Sequence, residues 1–531
     1  MTHDYSFPSS LFAVGNFRCA WLKAPGRFLS IVLLLVPAAS LRADVRLPAL
    51  FTDHVVLQQN ARVPIWGWAD DGERVTVEFG NQKVATVAKG GKWSVNLFNL
   101  KPGGPRELKI SGKNAITLHD VLVGEVWVAS GQSNMEWPLR LSHEPQADIA
   151  ASANPTIRLF TVPKLKADEP RSDVKSSWQL CGPDTVTNFS AVAYYFGRDL
   201  QKARGVPVGI IHTSWGGSPA EVWMSHDVLA SNPDYKKSIL ESYDTSMNAY
   251  QTALAKFQDE QAELKAQGKT SDKKPPGKPF WKPSELYNGM IAPLLPYAIK
   301  GAIWYQGESN AGRAYQYRSL FADMIRNWRR DWRAGDFTFL EVQLAPWDRN
   351  KKRSLEEITA APGESDWAEL REAQVIATRV LPKVGMAVIT DVGDKDDIHP
   401  TKKGPVGARL ALAARKIAYG ENIVASGPMY QSMAVSGDKL ILNFSNVGGG
   451  LEAREGELKG FAIAGADQKF VWAHAEIQGR SAVVSSPQVA KPVAVRYGWS
   501  DFPVVNLWNH AGLPASPFRT DNFPMLTKPK N

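Results

Sequence analysis

The sequence predicts an α/β fold: a parallel sheet covered by helices on both faces, with antiparallel β regions before and after it. Three observations carry this reading. Short apolar segments alternate with helical ones between residues 121 and 420, and outside those limits the text is strand-like with regularly spaced turns. The third is a nine-residue run, 129–137 (ASGQSNMEW), which sets a serine in a tight turn at the end of an apolar strand.

The chain of 531 residues is 44% hydrophobic and 22% charged, ordinary for a soluble globular protein and enough for about three or four domains. An aromatic fraction of 10%, including 18 Trp, suits sugar-facing grooves and β-sandwich cores equally. Residues 1–43 hold Arg18, Lys23, Arg27 and Arg42 against Asp4, a net +3 of the formal +9. About +6 is left on the remainder, too diffuse to imply a nucleic-acid partner.

Arg27 precedes 28–40 (FLSIVLLLVPAAS), an apolar core followed by small residues, which reads as the signal peptide of a 1–43 leader cleaved between Ala38 and Asp44. It is too short to span a membrane. The mature form is therefore expected to be secreted or periplasmic with no membrane partner, a retained amino-terminal anchor being the alternative. Cys19 falls in the leader, and Asn16-Phe17-Arg18 before it argues against a lipoprotein signal. Cys181 then stands alone, so no intrachain disulfide is expected.

From 44 to 120 the strand-like stretches 63–68, 74–79, 92–97 and 107–111 are separated by turn signals at 70–72 and 89–92, which predicts an N-terminal β-sandwich domain. In 121–420 the strand segments are 125–129, 206–212, 300–305, 338–344 and 386–391. Helical stretches at 191–203, 315–332, 369–380 and 401–418 intervene. Residues 225–283 interrupt this alternation with a polar helical pattern and a Lys- and Pro-rich tip at 267–278, read as an inserted arm. A second β region occupies 421–531, and no internal repeat is present.

Gly131 supplies the sharp turn that pushes the Ser133 hydroxyl out at the carboxyl end of a strand, where open α/β sheets hold their ligands. Gln, Ser and Asn are also ordinary turn formers, so the run needs partners to mean chemistry. A serine nucleophile requires a general base, and the base an orienting acid. Of the nine histidines only His399 has an aspartate three positions earlier, Asp396, in the polar loop 390–400 between a strand and a helix. Asp391, Asp394, Asp396 and Asp397 also admit a metal reading, but they lack the EF-hand spacing, its glycine and its terminal glutamate; no metal and no cofactor is expected. Donors for an oxyanion are available after two further strands, at Gly216 and Gly217 and at Gln306 and Asn310.

In that order the segments GQSNMEW (131–137), SWGGSPAEVW (214–223), WYQGESN (304–310) and DDIHP (396–400) resemble the sialate O-acetylesterase family of the SGNH hydrolase superfamily, related to family 6 carbohydrate esterases. The opening LFTDHVVLQ (50–58) and the closing NLWNHAGLPASPFRTD (506–521) extend the resemblance over nearly the whole mature chain. It implies a three-layer SGNH (flavodoxin-like) parallel-sheet hydrolase domain, with Ser133 as nucleophile, His399 as base and Asp396 as its partner. It also implies oxyanion donors at the Ser133 N–H, at Gly216 or Gly217, and at Gln306 or Asn310. QGESN does not reproduce the superfamily's Gly-x-Asn block, which leaves the amide donor open.

The expectation is an exported, cofactor-independent serine esterase that removes O-acetyl groups from a carbohydrate. Sialic acid is one substrate, acetylated xylan or pectin another. A non-catalytic carbohydrate-binding protein is the competing class and a metal phosphoesterase a third. Arg140, just after the nucleophile turn, would meet a sialic acid carboxylate, unless it is only a surface arginine. Trp281, on the return segment of the arm, would shape the sugar rim, unless the arm is solvated or makes an oligomer contact.

Overall fold

The computed structural model describes residues 44–350 and 352–529; the leader and its signal segment lie outside the described residues. Seven strands form the central sheet: β1 (Ala115–Gly131), β2 (Asn154–Thr161), β3 (Gln179–Cys181), β4 (Val208–Ser214), β5 (Gly301–Tyr305), β6 (Thr338–Val342) and β7 (Val384–Ala387). They lie in the order β7-β6-β5-β1-β4-β2-β3, all parallel except for the β2–β3 pair. Without the edge strands β2 and β3, the order is that of a flavodoxin-like sheet, 2-1-3-4-5. Its switch point lies between β1 and β5, where the chain leaves the sheet in opposite directions and a crevice opens.

Both faces of this sheet are buried, which is why its strands are apolar almost throughout. Successive side chains alternate faces. Trp127, Ala129, Ile210, Ile303 and Leu340 meet helices α2 (Ala191–Arg204) and α6 (Lys403–Ile417). On the opposite face Val126, Val128, Ile211, Trp304 and Phe339 meet α4 (Ala314–Trp332) and α5 (Asp366–Val380). The α2–α6 contact is close because Gly407 has no side chain; a Cβ there would stand 2.7 Å from the backbone nitrogen of Phe196. The three layers agree with the sequence expectation.

Strand β1 runs 17 residues and carries the chain across residue 121 without a break. Its first half pairs antiparallel with Gly103–Ser111 and parallel with Val56–Gln58, and its second half enters the parallel sheet. Around it the amino-terminal residues make short antiparallel strands, including Gln82–Val87, which the sequence pattern misses because no position of it is buried. The carboxyl-terminal residues form two four-stranded antiparallel sheets and one two-stranded sheet over a separate core. Between β4 and β5 the arm is built on α3 (Ser242–Ala266), a 25-residue helix with no buried residue. Cys181 is buried, its thiol pushed up to about 12 by desolvation, so it is an inert packing residue.

Candidate active site

Ser133 opens a one-turn helix, α1 (Ser133–Glu136), two residues beyond the end of β1. Gly131 turns the chain there at φ 136°, and a Cβ would collide with the Tyr305 carbonyl oxygen at 2.2 Å, so glycine is required on both counts. The turn is tied to both neighbouring strands: Gln132 N–H donates to the Tyr305 carbonyl at 3.0 Å, and Trp215 N–H to the Gly131 carbonyl at 3.1 Å. As the first residue of a helix, Ser133 has an N–H with no intrahelical acceptor.

His399 arrives from the loop after β7 and places Nε2 2.8 Å from Ser133 Oγ. The two residues are 266 apart in sequence, so this contact is produced by the fold alone. The imidazole stacks on Trp137, ring centres 5.1 Å apart and planes 19° apart. Burial, with a smaller contribution from the Lys403 ammonium, holds His399 below the usual imidazole range, against the opposing pull of Asp397. Burial thereby favours the neutral imidazole, which is able to accept a proton.

The acid facing Nδ1 differs from the sequence expectation. Asp397 Oδ1 lies 3.5 Å from Nδ1 and accepts the His399 backbone N–H at 2.8 Å. Asp396 turns away, accepting from the Lys395 ammonium at 2.5 Å and from the Lys352 N–H at 3.3 Å. The loop geometry explains this. Asp394 Oδ1 accepts the N–H groups of both Asp396 and Asp397, and the tight turn it makes brings the second carboxylate round to the ring.

Gly216 sits beside the serine, where an added Cβ would come within 3.3 Å of Ser133 Cβ, but its N–H donates to Glu136 Oε2 at 2.6 Å. Gly217 follows at φ 74° with open space around it. Gln306 and Asn310 are buried and engaged elsewhere. Gln306 Nε2 donates to Asn310 Oδ1 at 2.6 Å and to the Ser218 carbonyl at 3.3 Å, and Asn310 Nδ2 donates to Glu221 Oε2 at 3.0 Å. These amides brace the turn after β4 against the turn after β5. Arg140 is exposed and held by Asn188 Oδ1 at 2.8 Å. Trp281 packs edge-on to Trp215, 5.6 Å between ring centres, and so lies one ring away from the Gly216 turn. The Lys166 ammonium stands 4.4 Å from the Trp281 ring and 3.8 Å from that of Phe280, pinning the return segment of the arm.

Sequence reasoning missed several neighbours of the pair: Glu136, Trp137, Asp397, the half-buried Glu308, and the buried Asn134 and Lys403. Asn134, Glu136, Trp137, Glu308 and Asp397 lie inside the quoted motifs, so their proximity was legible but not their contacts. Lys403 has no motif signal at all. The site also contains a second serine–histidine contact, His212 Nε2 to Ser214 Oγ at 2.6 Å at the end of β4. Among the described residues, no group of three or more His, Cys, Asp or Glu is placed to hold a metal ion.

A family model described as carbohydrate esterase, sialic acid-specific acetylesterase, matches residues 275–416. The chain is 29% identical over 536 residues to the sialate O-acetylesterase of Mus musculus, covering 90% of this chain and 94% of the mouse protein. It is equally 29% identical over 543 residues to the Homo sapiens sialate O-acetylesterase, covering 93% of this chain and 96% of the human one. The crystal structure of a carbohydrate acetylesterase from Xanthomonas citri superposes with a TM-score of 0.77 at 38% identity, over 90% of this chain and 100% of that one.

Proposed function

Since this chain belongs to the sialate O-acetylesterase family of carbohydrate esterases and is a carbohydrate O-acetylesterase, we propose that it cuts the ester through an acetyl-serine intermediate on Ser133. The observation that carries this reading is the 2.8 Å contact between Ser133 Oγ and His399 Nε2 at the sheet's switch point. His399 takes the hydroxyl proton as Oγ attacks the acetyl carbonyl carbon, giving a tetrahedral oxyanion. The same imidazole returns that proton to the sugar oxygen as the C–O bond breaks. Water, deprotonated by His399, then attacks acetyl-Ser133, and acetate leaves with the serine restored.

Asp397 takes the role that the motif spacing gives to Asp396. Its carboxylate faces Nδ1, and its charge favours the imidazolium formed in each step. Oxyanion donors are assigned to the Ser133 N–H and the Gly216–Gly217 turn, with the Glu136 carboxylate withdrawing from Gly216 when the acetyl group enters. Gln306 and Asn310 support the wall of this hole from behind. Trp215 and Trp281 form the apolar rim against which a sugar ring rests.

The substrate we assign is an O-acetylated sialic acid, a reading supported by the names of the mouse and human relatives. Export is supported by the apolar segment 28–40, and no helix among the described residues is long and apolar enough to cross a membrane. Acetate release from O-acetylated sialic acid, acetylated xylan and acetylated pectin, each with wild type and Ser133→Ala, tests the reading. Release from the sialic acid ester that disappears in Ser133→Ala is expected. Release that survives the substitution would remove the nucleophile assignment, and activity on xylan or pectin alone would remove the substrate assignment.

A further inference from the structure

Directly behind the Ser133 turn, polar side chains that no step above uses are buried and joined to one another. Asn134 is fully buried, and its Nδ2 donates to Glu308 Oε1 at 2.6 Å and to the Ile398 carbonyl at 3.0 Å. Its Oδ1 accepts from the Lys403 ammonium. One carboxamide therefore connects the residue after the nucleophile to the residue before the base.

Lys403 is an expensive choice at this position. It is 1% exposed. It also opens α6, where the helix dipole disfavours a cation. An apolar side chain of similar volume would satisfy the packing without either cost. The ammonium stands 5.4 Å from the Tyr305 ring and 5.8 Å from the ring of Trp137, on which His399 stacks.

We propose that Lys403 is a positioning residue of this esterase, fixing the Asn134 carboxamide so that it holds the Ser133 turn and the His399 loop in register while its charge biases His399 toward the neutral form. The inference rests on the assignment of Ser133 and His399 as nucleophile and base. The titratable groups facing Lys403 are Glu308 and Tyr305 from the end of β5, and Asp397 and His399 from the base loop. Burial draws Lys403 down to about 7 against the pull of Glu308 and Asp397, and burial lifts Glu308 above the usual carboxylate range. Lys403 in turn lowers His399.

Lys403→Met keeps the chain volume and removes the charge. Hydrolysis of p-nitrophenyl acetate by the purified variant, from about pH 5 to 9, reads both parts of the inference. The expected kcat is about 10- to 100-fold lower with KM changed by less than about twofold, because misalignment of a reacting pair costs rate rather than binding. The acid limb of kcat/KM is expected at higher pH than in wild type, since a cation that opposed protonation of His399 is gone. A wild-type kcat, or a reduced kcat with an unmoved acid limb, overturns the proposal, because lost packing alone would not move the limb.

Glu308→Gln provides a second route if Lys403→Met does not fold. It leaves an acceptor for Asn134 but strips Lys403 of its counter-charge, so Lys403 loses its proton at lower pH and the limb again moves up; an unmoved limb overturns the proposal. Ser133→Ala run beside these variants separates the two failures. Activity surviving in Ser133→Ala removes the nucleophile reading. An inactive Ser133→Ala together with an unaltered Lys403→Met removes only the role of Lys403.

Discussion

Two serine–histidine pairs lie at the carboxyl edge of the same sheet, and the shorter contact is not the one to which we assign the chemistry. Ser214 and His212, on β4, are 2.6 Å apart; Ser133 and His399 are 2.8 Å apart. Their surroundings differ. His212 is fully desolvated and pushed down to about 4, and its Nδ1 finds no hydrogen-bond partner among the described residues. Ser214 is 3% exposed and continues a strand. His399 keeps 29% of its side chain exposed, faces a carboxylate through Nδ1 and stacks on Trp137, while Ser133 opens a helix beside a glycine turn. A short contact makes a hydrogen bond. A nucleophile also needs an acid behind its base, a donor for the oxyanion and access for the ester.

The largest effects separate the two serines. Ser133→Ala is expected to lower kcat by about 10³-fold or more, since members of a catalytic unit fail together. Ser214→Ala is expected to stay within about tenfold of wild type, because it removes a buried hydrogen bond rather than a reacting atom. Steady-state acetate release measures both, and a Ser214→Ala loss equal to that of Ser133→Ala would erase the distinction.

The histidines differ in the pH at which they act. A group whose folded pKa is lowered by burial stays neutral further into acid, so the acid limb of kcat/KM should fall below the usual imidazole midpoint of about 6.5, whereas His212 is pushed down to about 4. His399→Ala should abolish the limb together with the activity. A limb near 4 that is lost in His212→Ala instead would assign the base to the other pair.

The two aspartates of the base loop come next. Asp397→Asn is expected to cost about 10- to 100-fold in kcat, less than a buried triad acid, because its carboxylate is 58% exposed and 3.5 Å from Nδ1. Asp396→Asn should cost less than about threefold, since its Oδ1 accepts from the Lys395 ammonium and the Lys352 N–H. The reverse ranking, read from kcat on a small acetate ester, would restore the motif-based partner.

The smallest effect lies at the rim. Trp281→Ala should raise KM for the glycan ester by several-fold, about the value of one lost aromatic contact, and leave p-nitrophenyl acetate unaffected. Unchanged glycan kinetics would reduce the arm to a structural element.

The sheet and its helices were legible because burial on both faces writes apolar strands and amphipathic helices into the text; the four helix positions agree to within a few residues. Strand β7 was displaced, predicted at 386–391 and found at Val384–Ala387, because the apolar run continues past the last ladder pair into the base loop. Gln82–Val87 was invisible for the opposite reason, a strand with no fully buried side to pattern it. At the site, the convergence of Ser133 and His399 was readable from turn chemistry and from loops at strand ends. The choice between Asp396 and Asp397 was not, since it depends on Asp394 capping two successive N–H groups. Lys403 was not readable either, because burial of a helix-opening lysine is decided by what the fold places over it.

The most direct test of the central claim is to quench the enzyme during turnover of an acetate ester and locate the covalent acetyl group by peptide mass spectrometry. One acetyl group on Ser133 is predicted, absent in Ser133→Ala and accumulating in His399→Ala if any acylation survives there. An acetyl group on Ser214 or any other side chain, or turnover with no acetylated peptide in a variant whose deacylation is blocked, would contradict the account.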